Sequence, residues 1–142
     1  MHYLNQIKLS IIALVVFSAC KDTETPPIVT ENKSNIELLA GISNKQWGIS
    51  KLYINDTLFP LTKEQLLYTK TYRRDSTFID TDGIGGTYTI SADGKFLNEK
   101  ETSGGSGTST FSIINLNSNI LEYKLIFNGS DSLNTRFIFN AK

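Results

Sequence analysis

The sequence predicts a small all-β domain, built as a barrel or a sandwich, over residues 36–142 of a 142-residue chain. From residue 36 onward, short runs rich in β-branched and aromatic residues are separated by turn residues. Apolar and polar side chains alternate within the clearest runs, as in residues 87–92, which predicts strands with one dry face. The length fits one domain, and the single cysteine, Cys20, means that apolar burial and not a disulfide must stabilise it.

Residues 1–19 have the pattern of a secretory signal peptide, with a polar start and an apolar run over residues 9–17. As a helix this run would be about 14 Å long, too short for the roughly 30 Å of bilayer hydrocarbon. The stretch Phe17-Ser18-Ala19 before Cys20 resembles the lipobox of bacterial lipoproteins. The resemblance implies cleavage before Cys20 and acyl chains such as palmitate on that cysteine, which would hold the protein on a membrane. Cleavage by the ordinary signal peptidase after Ala19 is the alternative.

Residues 20–35 form a predicted flexible linker behind the lipidated cysteine. This segment contains Pro26-Pro27, several charges and only two apolar side chains, too few to bury a core. Its start, Lys21-Asp22, resembles the short charged signal that sends lipoproteins of the Bacteroidota to the outer face of the outer membrane. The resemblance implies a lipid-anchored, surface-facing outer-membrane protein. An ordinary charged linker on a periplasm-facing lipoprotein is the alternative.

The charge and the histidine content exclude several classes of function. Removal of residues 1–19 takes away Lys8 and no acid, which leaves 13 basic against 14 acidic side chains. That balance is not typical of nucleic-acid binding. The sole histidine, His2, lies in the predicted signal peptide, so the mature chain would lack the histidine of Ser-His-Asp and Cys-His catalysis and of common zinc sites. We therefore expect neither enzyme activity nor a metal or other cofactor.

A short helical turn precedes the strands, with Asn35 as the expected cap and Gly41 as its end. Seven strands are then predicted, at residues 47–55, 65–72, 86–92, 95–100, 108–115, 120–128 and 135–141. Asp93-Gly94 predicts a type I′ hairpin turn, in which both residues have positive φ. The apolar phase changes between residues 47–49 and 52–54, which predicts a β-bulge near Ser50-Lys51 or burial on both faces.

The domain resembles the small lipocalin-like lipoproteins of the Bacteroidota over most of residues 36–142. The motifs that carry the resemblance are Leu38-Leu39-Ala40-Gly41, Asn44-Lys45-Gln46-Trp47, Gly86-Thr87-Tyr88, Asp93-Gly94-Lys95-Phe96, Thr110-Phe111-Ser112-Ile113, Leu116 and Ile120-Leu121. It implies a small antiparallel meander barrel in which Trp47 plugs one end. Larger lipocalins have a Gly two residues before this Trp, where this chain has Lys45, and so short a chain leaves little room for a deep ligand cavity.

The resemblance implies a protein that binds a small apolar or amphipathic ligand, or that serves as an accessory protein of the envelope. The alternative is a surface module that binds an envelope protein, as an inhibitor, adhesin or complex subunit, through loops such as residues 73–86 and 102–109. An apolar hollow of a few hundred Å³ would distinguish a ligand carrier from such a module.

Two acidic motifs are candidates for chemistry. Asp80-Thr81-Asp82 resembles the start of a calcium loop, but Ser91 stands where the bidentate Glu of an EF-hand is required, so a polar turn is the simpler interpretation. Glu99 and Glu101 share a strand face, and paired carboxylates can hydrolyse glycosides. A solvated strand edge that discourages sheet pairing is the expected role of this pair.

Two further groups of side chains could contact a ligand. Arg73-Arg74 beside Asp75 could grip an anion, although surface ion pairing is the simpler interpretation. Several aromatic residues could either line a pocket or form the core: Trp47, Tyr53, Tyr68, Tyr72 and Tyr88.

Overall fold

The computed structural model describes residues 33–126 and 133–142. These residues form one helix, α1 (Asn35–Ala40), one 3-10 turn, η1 (Gln65–Leu67), and nine strands. The strands are β1 (Asn44–Ile54), β2 (Thr57–Phe59), β3 (Thr69–Arg73), β4 (Thr77–Asp80), β5 (Gly85–Ile90), β6 (Phe96–Ser103), β7 (Thr108–Leu116), β8 (Ile120–Ile126) and β9 (Thr135–Ala141). The predicted signal peptide, and the linker up to residue 32, lie outside the described residues. No helix among the described residues is long and apolar enough to cross a membrane.

Eight of the strands form a closed antiparallel meander barrel, which confirms the predicted fold class. β1 pairs with β3 through residues 44–48 on one edge and with β9 through residues 47–54 on the other. The remaining strands join β3 to β9 in chain order. β2 is an extra strand that pairs with the last residues of β1, at 52–54. Closure leaves none of the eight barrel strands with a free edge along its whole length, which protects the domain from edge-to-edge association.

The strand prediction missed β2 and β4 and misassigned residues 65–67. β2 is only three residues long and exposed throughout, so no apolar alternation marks it. η1 replaces the start of a predicted strand because Thr62 and Gln65 form a reciprocal capping box. The Thr62 N–H donates to Gln65 Oε1 at 2.9 Å, and the Gln65 N–H donates to Thr62 Oγ1 at 3.2 Å. The Thr-x-x-Gln spacing is a helix-start signal that was readable in the sequence.

The predicted type I′ turn at Asp93-Gly94 is wrong, because only Gly94 has a positive φ, of 70°. The side chain of Ser91 explains the difference. Its hydroxyl accepts hydrogen bonds from the N–H groups of Lys95 at 3.0 Å and Phe96 at 2.9 Å, which holds a longer loop. Two consecutive positive φ angles occur instead at Asn55-Asp56, at 50° and 61°, in the two-residue link from β1 to β2.

The predicted bulge in β1 is confirmed at the expected place. The register of β1 against β9 shifts between Ile49 and Lys51. The extra residue changes the phase of the strand, so that both Ile49 and Leu52 line one pocket.

Helix α1 covers one end of the barrel, formed by the start of β1 and the ends of β3, β5 and β7. Ser34, and not the expected Asn35, caps the helix by accepting a hydrogen bond from the Glu37 N–H at 3.2 Å. Asn35 instead donates to the carbonyl of Ala92, beyond the end of β5, at 3.1 Å. Gly41 ends the helix as predicted, with φ of 66°. We call this the closed end.

Trp47, the residue that the resemblance assigns to the plug, lies beneath α1. Its side chain is fully buried, and its indole N–H donates to the Leu39 carbonyl at 2.8 Å. The Lys45 ammonium lies 4.0 Å from the centroid of the indole ring and donates to the Leu38 carbonyl at 2.9 Å. Trp47 therefore joins the helix to the barrel through both packing and a buried hydrogen bond.

Replacing Trp47 by Phe should lower the free energy of unfolding by about 2–3 kcal/mol, because it leaves the buried Leu39 carbonyl without its donor and removes packing volume. Urea unfolding of the two proteins would measure this difference. Phe59→Leu, at a position 42 % exposed, is the control and should change the value by less than about 0.5 kcal/mol. A Trp47→Phe protein as stable as the parent would contradict the role given to this indole.

Candidate functional site

The interior of the barrel is filled with side chains. Its buried aromatic residues are Trp47, Tyr72, Phe78, Tyr88, Phe111, Tyr123 and Phe139. Their rings contact one another closely, with centroid separations of 4.4 Å for Phe111–Tyr123 and 5.1 Å for Tyr72–Tyr88. Such contacts stabilise the core beyond simple area burial. This packing agrees with the expectation that so short a chain has little room for a deep ligand cavity.

A buried ion pair lies within this aromatic interior. Lys70 Nζ is 2.8 Å from Glu99 Oε2, and the two side chains are only 10 % and 5 % exposed. The Tyr72 hydroxyl donates to the other carboxylate oxygen of Glu99. β4 and β5 separate β3 from β6 in the sheet, so the pair spans part of the interior. The rings of Phe78 and Phe111 lie 5.1 and 5.9 Å from Lys70 Nζ and complete its surroundings.

The interpretation of Glu99 and Glu101 as a solvated strand edge is wrong for Glu99. This residue is 4 % exposed and lies in the same phase as Leu97, facing the interior. Glu101 is half-buried and accepts a hydrogen bond from the Gly107 N–H at 3.0 Å. Glu99 is committed to Lys70 and Tyr72, which leaves the two glutamates without the free, paired carboxylates that glycoside hydrolysis requires.

Sequence reasoning did not identify the ion pair, although the signal was present. Lys70 shares its strand phase with the aromatic Tyr72, and Glu99 shares its phase with Leu97. A Lys and a Glu that each share a strand face with a large apolar residue indicate that the two charges meet inside. Lys and Glu are rarely buried unless they are paired.

Glu99→Gln should lower the free energy of unfolding by about 3–5 kcal/mol, because it leaves the Lys70 ammonium buried without a counter-charge. The double variant Lys70→Met with Glu99→Leu should recover most of this loss, since it removes both charges and keeps apolar volume. Chemical denaturation of the single and double variants gives the comparison. A loss below about 1 kcal/mol for Glu99→Gln would show that the charge of Glu99 is not needed.

A pocket of about 330 Å³ opens at the end of the barrel opposite α1. We call it the mouth pocket. It is lined by Ile49, Leu52, Leu61, Glu64, Gln65, Tyr68, Asp82 and Phe137. The segment that contains η1 forms one side, strands β1 and β9 form another, and the β4–β5 turn contributes Asp82. The bulge in β1 makes this wall continuous, because it directs both Ile49 and Leu52 to the same side.

Asp80 holds the β4–β5 turn and positions Tyr68 in the mouth pocket. The Tyr68 hydroxyl donates to Asp80 Oδ2 at 2.9 Å. The other carboxylate oxygen accepts from the backbone N–H groups of Asp82 at 3.0 Å and Ile84 at 2.9 Å. Asp80 therefore accepts the backbone N–H groups of a turn, in line with the interpretation of the Asp80-Thr81-Asp82 motif as a polar turn. Within residues 33–126 and 133–142 no three acidic, His or Cys side chains are grouped to hold a metal ion.

Burial keeps the interior tyrosines neutral. Desolvation, and then the hydrogen bond to Asp80, raise the pKa of Tyr68 far above its usual range. Desolvation, and then the negative charge of Glu99, raise the pKa of Tyr72 and of Tyr123 well above 10.0. Each hydroxyl thus remains a neutral group at any ordinary pH.

The raised pKa values of Tyr68, Tyr72 and Tyr123 make stability depend on alkaline pH. A folded pKa above the unfolded one gives a stabilisation that is complete below the unfolded value, near 10 for tyrosine, and is lost as pH rises beyond it. We expect the free energy of unfolding to fall steeply above about pH 10. Urea unfolding at a series of pH values, with phenolate absorbance of the native protein, would measure it. Phenolate formation by all tyrosines near pH 10 without unfolding would contradict this expectation.

A second, shallower depression lies on the outer side of the same barrel end, with a volume of about 300 Å³. We call it the outer groove, and its lining residues are Ser50, Lys51, Leu58, Phe59, Pro60, Leu61 and Leu66. Leu61 lines both the mouth pocket and the outer groove. η1 contributes Leu66 to this lining, and the next residue of η1, Leu67, is 74 % exposed.

The structure also places the two other groups of side chains that could contact a ligand, the Arg73-Arg74-Asp75 motif and the five aromatic residues. Arg74 donates to the Gly41 carbonyl at 3.2 Å, and the Asp75 carboxylate accepts from the Thr77 N–H and hydroxyl, so the Arg-Arg-Asp motif closes a turn beside α1. Of the five aromatic residues considered, Tyr68 alone lines the mouth pocket, and Tyr53 lies against the Arg136 guanidinium. The lipobox residues Phe17, Ser18, Ala19 and Cys20, and the export signal Lys21-Asp22, lie outside the described residues.

Comparison with protein-family models and with curated proteins gives no match to this chain.

Proposed function

We propose that this chain is an outer-membrane lipoprotein whose β-barrel, compatible with a lipocalin-like domain, binds one small amphipathic molecule in the mouth pocket. The observation that carries the proposal is the pocket itself. Its volume of about 330 Å³ falls at the lower end of the range found for ligand sites, about 300–1,000 Å³. Its lining combines apolar walls with a few polar groups, which is the usual composition of such sites.

The filled interior limits the size of this ligand. Buried side chains, including Tyr123 and Phe139, occupy the space beneath the mouth pocket, so the described part of the barrel has no room for a long acyl chain. Ile49, Leu52 and Phe137 offer contact to a short apolar group. The polar end of the molecule would lie toward the exposed side, where Glu64 and Gln65 line the pocket.

The membrane anchor in this proposal rests on the sequence. The stretch Phe17-Ser18-Ala19 before Cys20 supports lipidation, and Lys21-Asp22 supports transport to the outer face of the outer membrane. The described chain enters the domain at α1, on the closed end. The mouth pocket lies at the opposite end of the barrel from α1.

The outer groove supports a second candidate function, a protein-interaction module. Leu58 is 55 % exposed and Phe59 is 42 % exposed, and together with Pro60 they present apolar side chains to solvent. Contiguous exposed apolar surface is typical of interaction sites. This surface differs from the loops at residues 73–86 and 102–109 that the sequence suggested for the same role.

We expect a small molecule to accompany the protein when it is gently extracted from its own cells. Native mass spectrometry should show a removable mass at near-stoichiometric amount, and the denatured chain should begin at Cys20 with the added mass of its acyl groups. Leu61→Trp should abolish the removable mass, because the larger side chain fills the mouth pocket. Leu133→Trp, at a position 55 % exposed and outside the pocket lining, should retain it.

Other results would count against the ligand carrier. If the protein carries only its acyl groups and takes up no amphiphile when one is supplied, the carrier function is wrong. A co-extracted protein that is lost with Leu58→Asp and kept with Leu52→Trp, at a position that lines the mouth pocket and not the outer groove, would favour the interaction module instead.

A further inference from the structure

The charges that line the mouth pocket are all of one sign. Glu64 and Asp82 contribute carboxylates, and the other lining residues are neutral. Lys51, the nearby base in β1, lines the outer groove and not the mouth pocket. Lys63 precedes Glu64 in the chain and is exposed, but it is not part of the lining either. A ligand in this pocket therefore meets negative charge.

Neither carboxylate forms a close ion pair with a cation of the described residues. The ion pairs between described side chains are Lys70–Glu99, Lys95–Asp93 and Arg136–Glu122. A hydrogen bond from its own backbone N–H, and then one from the Thr62 hydroxyl, lower the pKa of Glu64, so its carboxylate is ionised. Lys70 lies two residues after the lining residue Tyr68, but its ammonium is buried and already paired with Glu99.

Two further features add to the negative character of the pocket. Asp80 lies behind the lining and accepts the hydroxyl of Tyr68, which keeps this phenol neutral and its ring in the wall. Neutral aromatic rings attract cations through their electron-rich faces. An ammonium group beside such a ring, with carboxylates at the rim, has favourable partners on several sides.

We infer that the mouth pocket selects an amphipathic cation, a primary or quaternary ammonium attached to a short apolar chain. This inference rests on the proposed ligand-binding function and names the class of ligand. The apolar wall of Ile49, Leu52 and Phe137 takes the chain, and Glu64, Asp82 and Tyr68 surround the charged group. An amphipathic anion of the same length is repelled by the same rim.

The size of the effect follows from the exposure of the two carboxylates. Both Glu64 and Asp82 are exposed residues, and an exposed ion pair changes affinity by up to about fivefold. Replacing attraction by repulsion doubles the difference in free energy and so squares the fold-change, which means that a cation should bind up to about 25-fold more tightly than the matched anion. The preference should shrink as salt is added, because exposed charges are screened.

The test uses the full-length polypeptide with Cys20→Ser, which prevents acylation without shortening the chain. Calorimetric titrations compare four probes with the same octyl chain: octylamine, octyltrimethylammonium, octanol and octanoate. We expect both ammonium probes to bind most tightly, octanol next and octanoate least. Asp82→Asn and Glu64→Gln should each weaken ammonium binding about three- to fivefold and leave octanol binding unchanged. Glu37→Gln, on α1 at the closed end, is the matched control and should alter neither.

Three outcomes would overturn the inference, and they are distinguishable from one another. Equal binding of octanol, octanoate and both ammonium probes would remove the charge selection while leaving a ligand pocket in place. An ammonium preference that survives both Asp82→Asn and Glu64→Gln would equally overturn the assignment to these carboxylates. Failure of all four probes to bind, octanol included, would remove the proposed ligand-binding function together with the inference.

Discussion

The double pairing of β1 is the constraint on which the rest of this structure depends. β1 is long enough to pair with β3 through residues 44–48 and with β9 through residues 47–54, and the second pairing closes the meander by joining its first strand to its last. An open sheet would bury only one face against another layer, whereas closure makes the inner face a core in its own right. The bulge after Ile49 is part of this solution, because a strand that bends around a small barrel must change phase.

Closure also decides where binding can occur. Eight strands enclose an interior just wide enough for side chains, and here aromatic rings and the Lys70–Glu99 pair occupy it. α1 covers one end, with Trp47 beneath it. The mouth pocket lies at the other end, where the segment around η1 lies over the rim. Ligand binding there, as proposed, would involve rim residues such as Glu64 and Asp82.

The sequence predicted the barrel well because alternation and turn residues are local signals, as in residues 87–92 and in the bulge near Ser50-Lys51. It failed where local hydrogen bonds or tertiary pairing decide the outcome. Ser91 replaced the expected turn at Asp93-Gly94, and β2 exists only because β1 is there to pair with it. The mouth pocket was predictable only in part, through Tyr68 and the Asp80–Asp82 motif. Leu61 and Glu64 lie in the segment between β2 and η1, where apolar residues follow no regular spacing. Only the folded structure shows that they line the same pocket as Leu52.

The buried ion pair has a consequence for how the chain reaches this fold. Side chains alternate across a strand, so a one-residue slip of β3 would turn Lys70 and Tyr72 outward and bring Thr69 and Thr71 inside. Glu99 would then remain in the interior with neither its cation nor its phenol donor. A misaligned barrel would thus carry an unneutralised charge at its centre, an error far more costly than the mismatch of two apolar surfaces. The Lys70–Glu99 pair therefore favours the native register of β3 over a register shifted by one residue.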